Sequence, residues 1–496
     1  MANGPNIGFV RQDVEIRLPQ WQQVDDCVHG EGAVKLRRDR YLPIPETNTD
    51  AAKNAKSYAK YLARAVFYPV TGRTLSGLVG QVYSKEMQVD VPKSLDVLVT
   101  DIDGAGTTLE QQSKRTLSNV LKKGRAGLLS DFPRIDPATV PTQADVDAGR
   151  IRPKIITYLP EQIINWREKG VGGETILSLL VLHEMKIVND DGFEFETEPR
   201  WRVYELDDNG GVFVTVWKLA KQGDIGTAMV SQVDGFPLYG ASEKETDYII
   251  DEDPSHVYGS DRMPLREIPF SFVGSLNNDS TVDDSPLYPL SGLNISHYRN
   301  SADYEQSSFV CGQPTLVLKG LTDDWVKNHI NGKVLLGSSN GVVLGVDADA
   351  KILQPAPNSM PMEAMTHKED QMKSIGAKLI EPGQVQRTAT EAEIEATSES
   401  SVLSSVAKNV SAAYEQAFYY CSLFGEDVSE DEITIELNSE FQITALNAQE
   451  RTEVMKAWQG GLITFDEARE VYRRKDIATL DDEDAINIIN GSNIEL

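Results

Sequence analysis

The chain has 496 residues, 40% of them hydrophobic and 25% charged, the balance of a folded protein with room for two to four domains. Its formal net charge is −28, with 76 acidic residues against 48 basic ones and no Lys/Arg cluster large enough to outweigh them. Tight, general nucleic-acid binding is thereby not expected, because a phosphate backbone needs a positive face; contact with DNA that must not adhere stays open.

Residues 1–50 read as irregular, with Trp21 and a basic patch at Lys35, Arg37, Arg38 and Arg40. Such a patch suits surface salt bridges, a phosphate contact or an arm packed on a neighbour. Residues 51–85 read as helix, with Tyr58, Leu62, Ala65 and Val66 on one face and Pro69 as its end or kink. A second short helix carries Leu75, Leu78, Val79 and Val82. The run DIDGAGTTLE from Asp101 to Glu110 looks like a calcium loop, but its glycine stands too early and the loop is too short. Asp103 is expected to cap the turn before a helix over 107–123, whose basic end at Lys122, Lys123 and Arg125 suits the helix dipole.

Residues 126–250 change to strand chemistry in LLSDF, KIITYL, ILSLLVLHEMKI, WRVYEL and GVFVTVWKLA, with a hairpin expected at DDNGG, Asp207–Gly211. The prolines and polar residues of 264–290 read as a linker. A helix with a patchy stripe follows over 293–310: Leu293, His297 or Tyr298, Ala302, Glu305 and Phe309. Residues 315–357 read as a small β-rich unit, and 361–381 return to helix with Met365, Met372, Ile375 and Leu379 on one face and Pro361 in the first turn. The chain thus runs out along one helix, through a compact unit, and back along another.

After a short polar loop comes the longest helical pattern, from about Thr390 to Gly425. Leu403, Val406, Ala407, Val410, Tyr414, Ala417, Phe418, Cys421 and Phe424 recur at spacings of three and four, one apolar stripe on a helix of roughly 35 residues and roughly 50 Å. Thr390 with Glu393 has capping-box spacing. Residues 433–443 read as strand, 446–475 as two short helices meeting at Gly460–Gly461, and the tail, with its acidic run 481–484, as a solvated surface. The fold class is α+β.

No catalytic constellation can be named. Neither GxGxxG after a strand nor GxxxxGK[ST] occurs, and neither HExxH nor GxSxG. The histidines at 29, 183, 256, 297, 329 and 367 are scattered, and Cys27, Cys311 and Cys421 have no metal-ligand or redox spacing. No enzyme activity, cofactor or metal is expected. The sparse cysteines suggest a reducing compartment. No signal peptide is visible in MANGPNIGF and no apolar run suggests a membrane span.

The order of elements resembles the tailed-bacteriophage portal family, often described only as a domain of unknown function. The matching stretches are ARAVFYPVTGRTLSGLVGQVYSKE (63–86), DIDGAGTTLEQQSKRTLSNVLKKGRAGLLSDFP (101–133), YLPEQIINWR (158–167), PLYPLSGLNISHYRNSADYEQSSFVCGQPTLVLKG (286–320), HKEDQMKSIGAKLI with the polar loop after it (367–390), and the long helix into ITIELNSEF. The similarity covers roughly 35–480, and none of these stretches is a catalytic signature.

The resemblance implies a portal-type subunit: an N-terminal irregular arm (1–50), an α/β wing (51–285), stem helix 1 (286–312), a β-rich clip (313–360), stem helix 2 (361–381), a tunnel loop (382–390), a long wing helix and strand (391–445), and a small helical crown with an acidic tail (446–496). It implies a homo-oligomeric ring, typically of twelve copies, at the portal vertex of the virion capsid, assembled in the bacterial host cytoplasm. Double-stranded DNA would pass without sequence-specific binding during packaging and ejection. The implied partners are the large terminase, the major capsid or scaffold protein and a tail adaptor. Candidate channel residues are Lys378, Gln384, Gln386 and Arg387; Arg387 reads equally as a salt-bridge partner of a glutamate. Candidate clip contacts are Trp325, Lys327, Lys333 and Lys351, with Trp325 reading equally as a small-core residue. The runner-up expectation is a structural ring or shell protein without DNA passage; a soluble enzyme ranks below it.

Overall fold

The computed structural model describes residues 6–45, 50–132, 152–207, 209–220, 232–233, 236–237, 248–313, 315–320, 322, 347–353, 359–379, 401–425, 428–441, 455–458 and 464. It divides into two units, Met1–Ser439 and Glu440–Leu496. In the second unit residues 455–458 are helical; the rest of the two helices expected over 446–475, and the acidic tail, lie outside the described residues.

The N-terminal segment is helical rather than irregular: α1 (Gln12–Glu15), α2 (Leu18–His29) and α3 (Glu31–Leu36). Pro19 sits in the first turn of α2, where its missing N–H costs nothing. Trp21, Val24 and Cys27 then recur every third residue and are buried. The Gln and Asp residues between them masked this stripe. Asp26 is buried too, and accepts from Arg37 Nε at 2.9 Å and Tyr41 Oη at 2.6 Å. One arginine of the basic patch is therefore spent inside the chain.

Helix α4 (Ala51–Arg64) is capped by Asp50 and ends at Ala65, before Pro69; α5 (Val70–Val82) follows, with Leu75, Leu78 and Val82 buried. After β1 (Gln88–Asp90) and α6 (Asp96–Thr100), the loop that mimics a calcium site spends its carboxylates on its own backbone. Asp101 Oδ1 accepts from Gly104 and Gly106, each at 2.9 Å, and Asp103 Oδ1 from Ala105 at 2.8 Å and Thr107 at 3.3 Å. Helix α7 (Leu109–Lys123) opens on a capping box between Thr108 and Gln111 and closes on Gly124. Gly124 has φ +76, and a Cβ there would lie 2.5 Å from the Asp283 carbonyl oxygen, so only glycine fits.

The basic end of α7 meets specific acids. Lys122 and Lys123 each approach Asp25 at 2.9 Å, and Lys123 also meets Glu161 at 2.6 Å. Burial raises the Asp25 carboxyl, but the two lysines overcome it and hold the group below its ordinary range. Arg125 is not part of the helix. It begins β2 and points into the core, stacked between Trp166 and Phe272 at 4.2 and 4.1 Å; burial lowers its pKa to about 9.

Strands β2 (Arg125–Asp131) and β3 (Lys154–Tyr158) belong to a three-stranded antiparallel sheet. The strands β4 (Ile163–Val171), β5 (Glu174–Asp190), β6 (Phe195–Leu206) and β7 (Val212–Leu219) form consecutive antiparallel hairpins. The β6–β7 turn is the expected one: Asp207 Oδ1 accepts from Asn209 at 2.8 Å and Gly211 at 2.7 Å. Short β8 (Gln232–Val233) and β9 (Phe236–Pro237) pair with each other, and β10 (Tyr248–His256) completes a five-stranded sheet of order β10-β7-β6-β5-β4.

The stretch read as a linker holds β11 (Phe270–Gly274), every residue of it buried, which pairs with β2. Its run FSFVG is only five residues long and follows Pro264 and Pro269, so it lacked a visible period. Phe270 and Phe272 join Leu129, Tyr158, Ile163, Trp166, Leu180 and Leu182 in the core between the two sheets.

Helices α8 (Tyr288–Cys311) and α9 (Met360–Lys378) are separated by the antiparallel pair β12 (Thr315–Lys319) and β13 (Asp349–Leu353). Helix α10 (Val402–Ser422) crosses the other face of the three-stranded sheet. All nine residues of its predicted stripe are buried. At about 1.5–3 kcal/mol for each fully buried large apolar side chain, this stripe is a main tie between helix and sheet. The helix does not run on from Thr390, however. Ser401 has extended backbone, and its side chain accepts from Ser404 N, so it starts a helix of 21 residues there. The Thr390–Glu393 spacing lies outside the described residues. Strand β14 (Thr434–Glu436) closes the unit by pairing with β1.

Candidate structural interface: a helix pair with distal strands

Helix α8 begins with Pro289 in its first turn and spans about 36 Å at 1.5 Å per residue. Its first half is enclosed. Leu290, Asn294, Ile295, His297, Tyr298, Ser301 and Ala302 are buried. Tyr298 packs edge-on to Phe67, within a cluster that also holds Cys27, Tyr41, Tyr58 and Tyr61. Asn294 bridges the break between α4 and α5. Its Oδ1 accepts from Thr71 N at 3.1 Å and Thr71 Oγ1 at 2.9 Å, and its Nδ2 donates to the Tyr68 carbonyl at 2.8 Å.

From Asp303 to Cys311 no residue of α8 is buried. Arg64 supports this half from one side, donating to Gln306 at 2.7 Å and lying 3.5 Å over the Phe309 ring. Phe309 and Val310 remain 40% and 43% exposed. This division explains the patchy stripe: the enclosed half is surrounded and the other half has few neighbours.

Helix α9 returns antiparallel to α8. The β12–β13 pair joins the end of α8 to the start of α9, and further along Lys368 Nζ donates to the Ser296 carbonyl at 3.1 Å while His297 Nε2 meets Glu369 Oε1 at 3.3 Å. Burial lowers the His297 pKa, against the opposing pull of Glu369. Met365 and Met372 are buried; Met360 and Met362, near the strands, are exposed. Ile352 and Leu353 of β13 are more than 60% exposed.

At the other end of α9, Leu403 N donates to the Leu379 carbonyl at 3.1 Å. The chain therefore leaves α9 and enters α10 at one point, so the segment carrying the expected channel loop starts and ends on a common base. Lys378 stands exposed at that base. Gln384, Gln386 and Arg387 lie outside the described residues. Lys351 lies on β13, opposite Val317, with its Nζ 3.9 Å from Asp349. Trp325, Lys327 and Lys333 lie outside the described residues. Lys351 and Lys378 are not brought together: the whole of α9, about 28 Å, separates the strands from the base.

Sequence reading missed the Asn294 bridge, the Leu379–Leu403 base and the length of the β5–β6 hairpin. Only the last had a signal, in the unusual run of large apolar residues around DDGF. Among the described residues no group of three or more His, Cys, Asp or Glu is placed to hold a metal, and no helix is long and apolar enough to cross a membrane. A half-open cavity of about 360 Å³ lies beside Glu267 and Tyr420, walled by Ile176, Leu177, Ile268 and Phe270, and collects no catalytic set.

Residues 286–424, from the start of α8 to just past the end of α10, match the profile of a domain of unknown function (DUF4055). No curated protein matches the chain in sequence. Its structural neighbours come from a gene transfer agent (GTA) particle and align over most of the chain. A chain of the neck of the empty GTA particle computed with C6 symmetry is 14% identical, with 83% of this chain and 92% of that one covered. One from the neck of the native particle computed with C12 symmetry is 15% identical, with 83% and 91% covered. A chain from the virion of the native particle is 11% identical, with 83% and 92% covered. The TM-score is 0.39 in each case, below the level at which two chains share a fold.

Proposed function

We propose that the chain is a structural subunit of a virion head-to-tail connector of the portal type. The observation that carries this reading is the α8–α9 pair. It is clamped at one end inside the α+β body, exposed at the other, and bears a small antiparallel strand pair at its far end. In this reading α8 and α9 are the stem, β12 and β13 belong to the clip, and the segment rising from the Leu379–Leu403 base supplies the channel loop with Gln384, Gln386 and Arg387. The exposed stem residues then face neighbouring copies in a closed ring of about twelve.

Charge fits a conduit. At −28 per copy, a ring carries a large negative field, which repels phosphate and keeps a duplex from adhering to the wall. Lys378, at the loop base, would centre the duplex. The clip, with Trp325, Lys327, Lys333 and Lys351, would dock the terminase during packaging and a tail adaptor afterwards, while the capsid or scaffold protein holds the body at the vertex. The role is structural rather than catalytic.

Native mass spectrometry with negative-stain imaging of the purified full chain tests the proposal. A closed ring with a central opening of duplex width, about 20 Å or more, is expected. A compact monomer overturns it, and a closed ring without an opening replaces it with a shell protein that passes no DNA.

A further inference from the structure

The β5–β6 hairpin extends past its sheet. The β4–β5 ladder stops at Ile163–Leu182, and the β6–β7 ladder stops at Arg200–Lys218. Residues 183–199 continue as a two-stranded ribbon whose strand pairing, among the described residues, runs only across itself, with Lys186 reaching Glu252 of β10 at 3.6 Å on its polar face. A two-stranded ribbon is marginal in water without a surface to cover one of its faces.

This ribbon has two unlike faces. Cross-strand partners share a face, so the pairs Met185–Pro199, Ile187–Thr197 and Asp190–Phe195 put Met185, Ile187 and Phe195 together. They are 53%, 52% and 64% exposed, and Phe193 at the tip is 97% exposed. The other face carries Lys186, Glu196 and Glu198. Asp190, Asp191 and Glu194 ring the tip, and Asp191 accepts from Phe193 N at 2.8 Å, which fixes the turn that projects the ring. A surface suited to this arm has an apolar residue flanked by cations.

The chain carries such a surface. Within the basic patch, Lys35 is held by Glu31 at 2.6 Å and Arg37 by Asp26 at 2.9 Å. Leu36 is 80% exposed, and Arg38, Asp39 and Arg40 beside it are exposed, with Arg40 also lying 5.9 Å over the Tyr41 ring. Arg38 has φ +46, a left-handed turn that sets the two arginines apart from the helix before them. At these exposures Leu36 and Phe193 do not cover each other within one copy.

We infer that the β5–β6 ribbon is a docking arm for a second copy of this chain, with Phe193 and Phe195 seated on Leu36 and the acids of the tip facing Arg38 and Arg40. The contact joins two different patches, so it is head-to-tail, and repeated around an axis it closes a ring. The inference rests on the ring reading above and adds the surface that joins one copy to the next.

Native mass spectrometry of the full chain at physiological salt tests it. Arg38→Glu with Arg40→Glu should convert the wild-type ring to monomers and small species. Adding Asp190→Arg with Glu194→Arg to that chain should restore the ring, a rescue that a folding defect would not give. A ring unchanged by R38E/R40E overturns the docking arm and leaves the ring reading standing; a wild-type chain that stays monomeric overturns both. As a second measurement, Phe193→Cys copies are mixed with Leu36→Cys copies under mild oxidation. A disulfide between the two variants is expected. Crosslinking of Phe193→Cys copies only to each other means ribbon meets ribbon, and overturns the head-to-tail contact.

Discussion

The two halves of α8 are one continuous helix in two environments. From Leu290 to Ala302 it is packed by α2, α4, α5 and α9, and two of its polar side chains tie it to the break between α4 and α5: Asn294 by Thr71 and Tyr68, Ser301 by the N–H of Val66. From Asp303 to Cys311 it keeps Phe309 and Val310 in partial solvent contact, with Met360 and Met362 of α9 likewise exposed. The first half shows where the chain completes its own core. The second shows apolar surface that the chain leaves to something else, and in the proposed ring that is the neighbouring subunit.

The largest expected effect lies in the enclosed half. Tyr298 is fully buried, and Tyr298→Ala removes a ring from the cluster around Phe67 and Tyr58, at a cost of about 3–5 kcal/mol in chemical denaturation. Its hydroxyl has no hydrogen-bond partner, so Tyr298→Phe should be neutral or stabilising. Equal losses in both variants would break the account of this half as an apolar anchor. Asn294→Ala comes next, at about 2–3 kcal/mol, because it strands the Thr71 N–H and the Tyr68 carbonyl in a buried place. Urea titration of the two variants side by side ranks ring packing against polar bridging.

Acid should loosen the same half. The groups facing His297 are Glu369, Lys368 and the Tyr68 ring. Burial holds the His297 pKa below its ordinary value of 6.5. Between the lowered value and 6.5 the unfolded chain binds the proton and the folded chain does not. The contribution is therefore fully present above the unfolded value and is lost as pH falls through that window. The thermal midpoint should drop between pH 7 and pH 5, and His297→Gln should flatten part of that slope. An unchanged slope in the variant would assign the acid sensitivity to other groups.

How much of this was readable beforehand depends on whether each element is buried by its own chain. The α10 stripe was legible because one helix face meets one sheet, so the period in sequence is the period of burial. The Asp207–Gly211 turn and the break at Pro69 were legible because their residues act locally. The helices of residues 1–50 were hidden by polar spacers, and β11 by its shortness. The start of α10 at Ser401 was hidden because no Pro or Gly separates the stripe from the capping-box spacing of Thr390 with Glu393. Helix α8 looked patchy for a physical reason, since a stripe that changes environment midway has no single period. The candidate site was legible only as an order of elements. Lys351 and Lys378 can be placed on it, while Asn294 and Leu379 owe their roles to partners more than twenty residues away in sequence, which no local pattern encodes.

The smallest effect on folding sharpens the comparison most. Val310→Ser with Met362→Ser changes two side chains that are 43% and 50% exposed. Truncating such surface positions should cost less than about 0.5 kcal/mol each in the unfolding of the isolated chain. If a neighbouring copy covers them, the same double variant weakens the ring: at equal concentration, native mass spectrometry shows more sub-ring species than wild type, with each chain's circular dichroism unchanged. The contrast with Tyr298→Ala then separates two kinds of apolar residue on one helix, those that hold the chain and those that hold the assembly. A double variant that unfolds as readily as Tyr298→Ala would mean that the second half is covered by its own chain, and the division of α8 would fail with it.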